Sequence, residues 1–206
     1  KLIILTFLML SFAGKGHAQK WDQIIKQVAG DRNAQSSAGR EVSDVYGMAV
    51  SLSGDYAAVS AYNHDGDQNG LNKIVSAGCV YILYNQAGTW VEVKKLVASD
   101  RSKDALFGYS VAIHGDYVVV GAIRESRDGA SLNPVASAGA AYIYKKDQGG
   151  VDNWGQIKKI TANDRDADDL FGYNVAIDGD YIVVGTLFED HNVSEGAPLE
   201  NSGSIH

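Results

Sequence analysis

The chain of 206 residues has a single cysteine, Cys79, so no intramolecular disulfide can form. Basic residues are also scarce. Lys and Arg number 18 against 25 Asp and Glu, for a net charge of −7, and they form no cluster. Nucleic-acid binders carry a basic face, so that class is excluded, and the acidity reads as a solubility feature. Long apolar runs are missing as well: Leu2–Ala13 has twelve residues, whereas a helix needs about 20 to span a bilayer. No nucleophile elbow, phosphate-binding glycine loop or zinc signature occurs, so the residues carry no catalytic constellation. Prolines number two against 23 glycines, which points to many tight turns, and 11 tyrosines with abundant valine suit strands.

What is present begins with "KLIILTFLMLSFAGKGHAQ". A basic first residue, an apolar run and a small-residue stretch ending Gly16-His17-Ala18 have the layout of a secretory signal peptide. Residues 1–18 are therefore expected to be removed, and no cysteine stands at the cleavage point to make a lipoprotein. Losing Lys1 and Lys15 takes the net charge from −7 to −9. The destination this implies is secretion or the cell surface, with no membrane span in the mature chain.

The strongest pattern is internal repetition, which decides a fold before local readings do. "LFGYSVAIHGDYVVVG" (residues 106–121) recurs as "LFGYNVAIDGDYIVVG" (residues 170–185), with three differences in sixteen. A weaker copy, "VYGMAVSLSGDYAAVS", begins at Val45. Trp21, Trp90 and Trp154 each precede an Asp-Arg pair by ten residues. Gly54, Gly115 and Gly179 each precede Ser-Ala-Gly or Asn-Ser-Gly by 22. The repeats run about 21–89, 90–153 and 154–206, the last truncated. Between Asp31 and Tyr46 the first copy carries eight extra residues, read as a surface loop insertion.

Each copy reads as four strands. Asp178-Gly179, between two β-rich runs, predicts a hairpin with a type I′ turn, and His114-Gly115 and Ser53-Gly54 match it. "SAGAAYIYK" is a third strand and "WGQIKKITA" a fourth. "WDQIIKQVA" has helical spacing taken alone, but its register with the other copies makes it a strand too. Four strands per repeat of about 60 residues favour a propeller blade over a sandwich or barrel.

Phe107-Gly108 and Phe171-Gly172, followed by Val-Ala-Ile, Gly-Asp-Tyr and Val-Val-Gly, resemble the FG-GAP repeat. That repeat is the blade unit of integrin α-chain propellers and of many secreted bacterial proteins. The resemblance covers about residues 21–206 and implies an all-β fold, a β-propeller of four-stranded antiparallel blades. Just under three blades are present here, so the array is incomplete. The resemblance makes this the front part of a longer protein, with the remaining blades as partners. Integrin-type repeats hold calcium in the hairpin between their first two strands, but here those loops have shrunk to two residues and the ligands have no counterparts.

A different loop carries a partial calcium pattern. In "NHDGDQNGLNK", Asp65, Asp67, Asn69 and Gly70 match positions 1, 3, 5 and 6 of a calcium loop, but position 12 is Ser76 and not a carboxylate. A polar surface loop is the default reading, with Asp65, Asp67 and Asn69 the candidate metal ligands. The Asp-Arg pair recurs in all three copies, which suits a contact between blades better than a single active site. The phenylalanines and tryptophans read as core, Cys79 as a buried strand residue and Ser131 as a solvent-loop position whose replacement costs little. The five histidines show no metal spacing.

The function read from these residues is an exported, non-catalytic propeller module that binds protein or glycan, or acts in adhesion, at the cell surface. Two alternatives stay open: an accessory region of a secreted hydrolase, and a lectin-like propeller using Tyr and Trp as stacking platforms. Exported protein should begin at Gln19, and N-terminal sequencing that finds Lys1 would refute the signal-peptide reading.

Overall fold

The computed structural model describes residues 26–31, 43–190 and 202–206. Every regular element is a strand, and the strands form three antiparallel meanders. The first sheet has the order β1 (Tyr46–Ser53), β2 (Tyr56–Ala61), β3 (Cys79–Gln86) and β4 (Thr89–Leu96). The second repeats it with β5 (Phe107–His114), β6 (Tyr117–Ala122), β7 (Ala140–Lys146) and β8 (Trp154–Ile160). The third holds β9 (Asn174–Asp178), β10 (Tyr181–Thr186) and β11 (Ser204–Ile205). These are two complete propeller blades and a three-stranded one. Blade and repeat are out of phase: the strand that opens each repeat at Trp90 or Trp154 closes the preceding blade.

Alternation along the strands gives each blade two apolar faces, and the blades stack through them. Val80, Ile82 and Leu96 of blade 1 pack against Phe107, Val118 and Tyr142 of blade 2. Val119 and Ala141, on the opposite face of blade 2, meet Phe171 and Val184 of blade 3. Cys79 lies wholly buried in the cluster on the far face of blade 1, where burial pushes its thiol pKa up and keeps it unreactive.

The recurring glycines explain the motifs. Leu106-Phe107 runs beside Ser76-Ala77-Gly78, with Phe107 N–H donating to Ala77 C=O at 3.1 Å and Gly78 bridged in parallel to Phe107. One blade on, Phe171 N–H donates to Ala138 C=O at 2.9 Å and Gly139 bridges Phe171. A Cβ at Gly78 or Gly139 would overlap the phenylalanine carbonyl, and one at Gly172 would come within 2.6 Å of Ala140 C=O. The Phe-Gly and Ser-Ala-Gly motifs are thus two halves of one backbone seam.

Two details depart from the expectations. The two-residue hairpin loop is Gly179-Asp180 and not Asp178-Gly179, since Asp178 pairs with Tyr181; Gly54-Asp55 and Gly115-Asp116 match it. Only the glycines have positive φ (53–56°), so the turn is type II′, with glycine first, and an L-residue is free to occupy the second position. Lys26–Ala29 form no strand, while Trp21–Ile25, most of the eight-residue insertion and the signal segment lie outside the described residues. Phe107, Phe171 and Trp154 are buried, but Phe188 is 41% exposed.

Gly139→Ala is expected to destabilise by more than about 2 kcal/mol, because it combines positive φ with overlap on Phe171. Gly179→Ala meets open space and adds only the left-handed strain, about 1 kcal/mol. Urea unfolding of both variants checks that ranking; equal costs would mean that the seam tolerates a side chain.

Candidate functional site

The loops between the second and third strands, and the linkers between blades, gather at the end opposite the Gly-Asp hairpins. Each linker brings its Asp-Arg pair there. Asp100 turns forward into blade 2, accepting hydrogen bonds from Tyr142 Oη (2.9 Å), Lys159 Nζ (2.7 Å) and Ser131 Oγ (2.5 Å). Arg101 turns back, donating to the carbonyls of Asp65 (2.5 Å) and Asn72 (3.0 Å) in blade 1. Arg165 does the same to Ser126 (2.5 Å) and Asn133 (3.1 Å). The pair is an interblade staple, as its repetition suggested. Ser131, expected to be dispensable, is part of it.

Asp100 belongs to a buried cluster that recurs. Lys159 Nζ lies 3.4 Å from Glu125 Oε1, whose carboxylate also accepts from Arg127 Nε (2.8 Å) and Ser102 Oγ (2.8 Å). In blade 1 the equivalents are Asp31, Tyr81, Lys95 and His64. Tyr81 Oη donates to Asp31 at 2.6 Å, Lys95 pairs with Asp31, and Lys95 Nζ lies 3.4 Å from His64 Nε2. Both ammonium groups also sit over their tyrosine rings, 5.3 and 5.5 Å from the centroids. Burial alone would raise the Asp100 carboxyl, but hydrogen bonds from Lys159, Ser131 and Tyr142 outweigh it and hold it below its ordinary value. Glu125 is depressed likewise against its burial, chiefly by Arg127.

In blade 3 the same positions are Asp164, Glu189 and His206, and their ligand atoms lie within 4.8 Å of one another. Spacing in the sequence did not reveal this group, because the three residues are separated by 25 and 17 positions; aligning His206 with Tyr81 and Tyr142 would have. These three are the counterparts of the acceptors that surround Lys95 and Lys159 in blades 1 and 2.

Asp65, Asp67 and Asn69 lie together in the loop after β2. Asp67 accepts from the backbone N–H groups of Asn69 (2.8 Å) and Leu71 (3.0 Å), and from Asn72 Nδ2 (2.5 Å). Asp65 accepts from Ser76 N–H at 2.9 Å. Asp128 closes the corresponding loop in blade 2 through Ala130, Leu132 and Asn133, with Ser126 in the place of Asp65. These aspartates shape the loop, and a cation would have to displace their hydrogen bonds. The two-residue hairpins hold no calcium-loop ligands, so the integrin-type metal does not fit there.

A surface of another kind runs across the blades at this same end. Tyr62, Tyr109 and Tyr173 form a row with centroid separations of 5.7 and 5.2 Å. All three are half-buried. A hydrogen bond with Tyr173, followed by burial, raises the Tyr109 hydroxyl. Beside the row the inner strands β1, β5 and β9 bound a groove of about 480 Å³, lined by Met48, Val50, Tyr109, Tyr173 and Asn174 among others.

Stacked four-stranded meanders joined by a repeated seam define a β-propeller repeat protein. The FG-GAP repeat signature matches residues 21–83, 90–144 and 154–205, so the chain belongs to the FG-GAP repeat family. No curated protein matches it.

Because the Asp100 pKa is lowered on folding, its stabilisation is present above the unfolded value near 4 and is lost as pH falls through the folded one. Asp100→Asn should cost about 3 kcal/mol at pH 7, by leaving Lys159 buried beside a neutral partner. Urea unfolding at pH 7 and below about pH 3 should show the penalty shrinking in acid.

Proposed function

We propose that the chain is an exported, non-catalytic binding module whose contact surface is the Tyr62–Tyr109–Tyr173 row and the groove beside it. Tyrosines suit this role because a large, rigid ring with a polar tip loses little entropy on binding and can stack on a sugar face or a peptide plane. The row carries the reading: three mutually tilted, part-exposed rings stand across successive blades, beside a concave wall of inner-strand residues. FG-GAP repeats form propeller-type binding modules, which agrees. Export rests on the layout of residues 1–18, and no helix among the described residues is long and apolar enough to cross a membrane.

The row favours a glycan or an extended peptide segment over a globular protein face, since tyrosine rings edge the groove. Glycan and peptide arrays probed with the secreted protein are the direct test. Tyr109→Ala with Tyr173→Ala should cut binding at least about tenfold while leaving the thermal midpoint within a few degrees. Binding that survives the double substitution would place the contact elsewhere. Running the arrays with calcium and with chelator tests the Asp65–Asn69 loop: calcium there is expected to bind weakly and to leave ligand binding unchanged. A large calcium dependence removed by Asp65→Ala would make the loop a true site.

A further inference from the structure

Three of the four arginines within the described residues hold the fold together. Arg101 and Arg165 bind loop carbonyls of the preceding blade, and Arg127 pairs with Glu125 in the buried cluster. Arg124 is exposed, and among the described residues its guanidinium makes no hydrogen bond or ion pair. Repeat symmetry shows that the fold does not call for a cation at this position. The equivalents are Asn63 in blade 1 and Phe188 in blade 3, and all three share one backbone bond. Their N–H groups donate to the carbonyls of Asp44 (Asn63, 3.4 Å), Ala105 (Arg124, 3.2 Å) and Asp169 (Phe188, 3.2 Å). The backbone is held alike whatever the side chain, so the arginine is free to act on something outside the chain.

The same bond fixes where the charge stands. Ala105 leads into the turn in which Leu106 C=O accepts from Tyr109 N–H at 3.1 Å, so Arg124 is anchored on the segment carrying the middle ring of the tyrosine row. Its charge is felt there: a hydrogen bond with Tyr173 and burial raise the Tyr109 hydroxyl, and the Arg124 charge opposes them. The groove beside the row is lined by no charged residue, and Asn174 supplies an exposed amide. One cation thus stands at an otherwise uncharged aromatic surface, on a chain of net charge −7.

Ring spacing bears on what lies along the row. The centroids are 5.7 and 5.2 Å apart, close to the rise of one pyranose along an extended glycan. Side chains on one face of an extended peptide recur every second residue, about 6.6 Å apart, and would drift out of step with the rings. Consecutive sugars can each meet a ring through their apolar C–H faces. A planar guanidinium at the middle ring suits one carboxylate, gripped by two parallel N–H groups. A densely charged polyanion is disfavoured by the net negative charge, as nucleic acid is. A uronic acid, unlike an acidic sugar confined to chain ends, can occupy the middle ring with sugars on both sides.

We propose that the row selects a glycan chain carrying isolated uronic acid residues, with the acidic sugar at Tyr109, its carboxylate on Arg124, and neutral sugars at Tyr62 and Tyr173. This rests on the binding role given to the row and adds the residue that chooses the ligand.

Deacylated gellan oligosaccharides are linear chains in which each glucuronic acid is flanked by neutral sugars. Reducing their carboxyl groups to primary alcohols removes only the group that Arg124 would hold. Isothermal titration calorimetry of the secreted protein should find the acidic form bound at least about tenfold more tightly than the reduced form. Arg124→Gln should abolish that preference, and Arg124→Lys, which keeps the charge but not the fork, should restore part of it. The Arg124 side chain has no polar partner in the fold, so both variants should keep the wild-type thermal midpoint. Equal binding of the two forms, or a preference that survives Arg124→Gln, overturns the inference. If Tyr109→Ala with Tyr173→Ala then abolishes binding of both forms, the row still stands as the contact surface. If that double substitution changes nothing, the row is not the contact and both readings fall. Failure to bind the acidic oligosaccharide also overturns the inference. So does tighter binding of polyglutamate that is lost in Arg124→Gln, which would make the ligand an acidic peptide.

Discussion

The architecture depends on the close approach of two backbones between blades. Where Phe107 runs beside Gly78, and Phe171 beside Gly139, peptide groups meet at distances that leave no room for a Cβ. Glycine alone satisfies both demands of the site, space and positive φ, and it does so on both sides of the seam. The phenylalanine before the second of these glycines is drawn into the core, 0% exposed in one copy and 2% in the other, against a tyrosine ring or, in blade 3, His206. Strand direction, blade spacing and the facing of the apolar surfaces all follow from that contact.

Around the seam lies a buried polar cluster whose contribution is better described as registration than as stability. Ion pairs taken out of water gain little net free energy, because desolvation offsets attraction, but an unpaired member is costly. A lysine from the fourth strand, a tyrosine from the third, an aspartate from the linker and a histidine or glutamate from the loop after the second must therefore arrive together. A strand slipped by one residue would turn Lys95 or Lys159 to the other face. The arginine beside that aspartate holds the loop of the preceding blade, so one dipeptide ties the registers of two blades. The tyrosine row is only partly a by-product of the same order: Tyr109 and Tyr173 hold equivalent positions, whereas Tyr62 comes from the loop after β2.

Much of this was legible from residues. The period, the four strands and the membership of Phe107 and Phe171 in the core follow from self-similarity, since a stacked repeat places like side chains in like surroundings. The interblade role of Asp-Arg was legible for the same reason. The hairpin turn was misplaced by one residue, because the pattern around Asp178-Gly179 suits either register and only the pairing of Asp178 with Tyr181 decides it. Ser131 looked free because a loop serine gives no sign in sequence of the aspartate that folding brings to it from 31 positions away.

What the sequence by itself determined is therefore what repetition and local geometry can carry: strand content, blade unit, and glycine wherever a side chain would not fit. What only the tertiary structure decided is which polar groups meet. Asp164, Glu189 and His206 are far apart along the chain, and so are Asp31, His64 and Lys95. Their juxtaposition arises from three strands and a linker converging at one end of a blade, and no local pattern in the chain encodes a distance across a sheet.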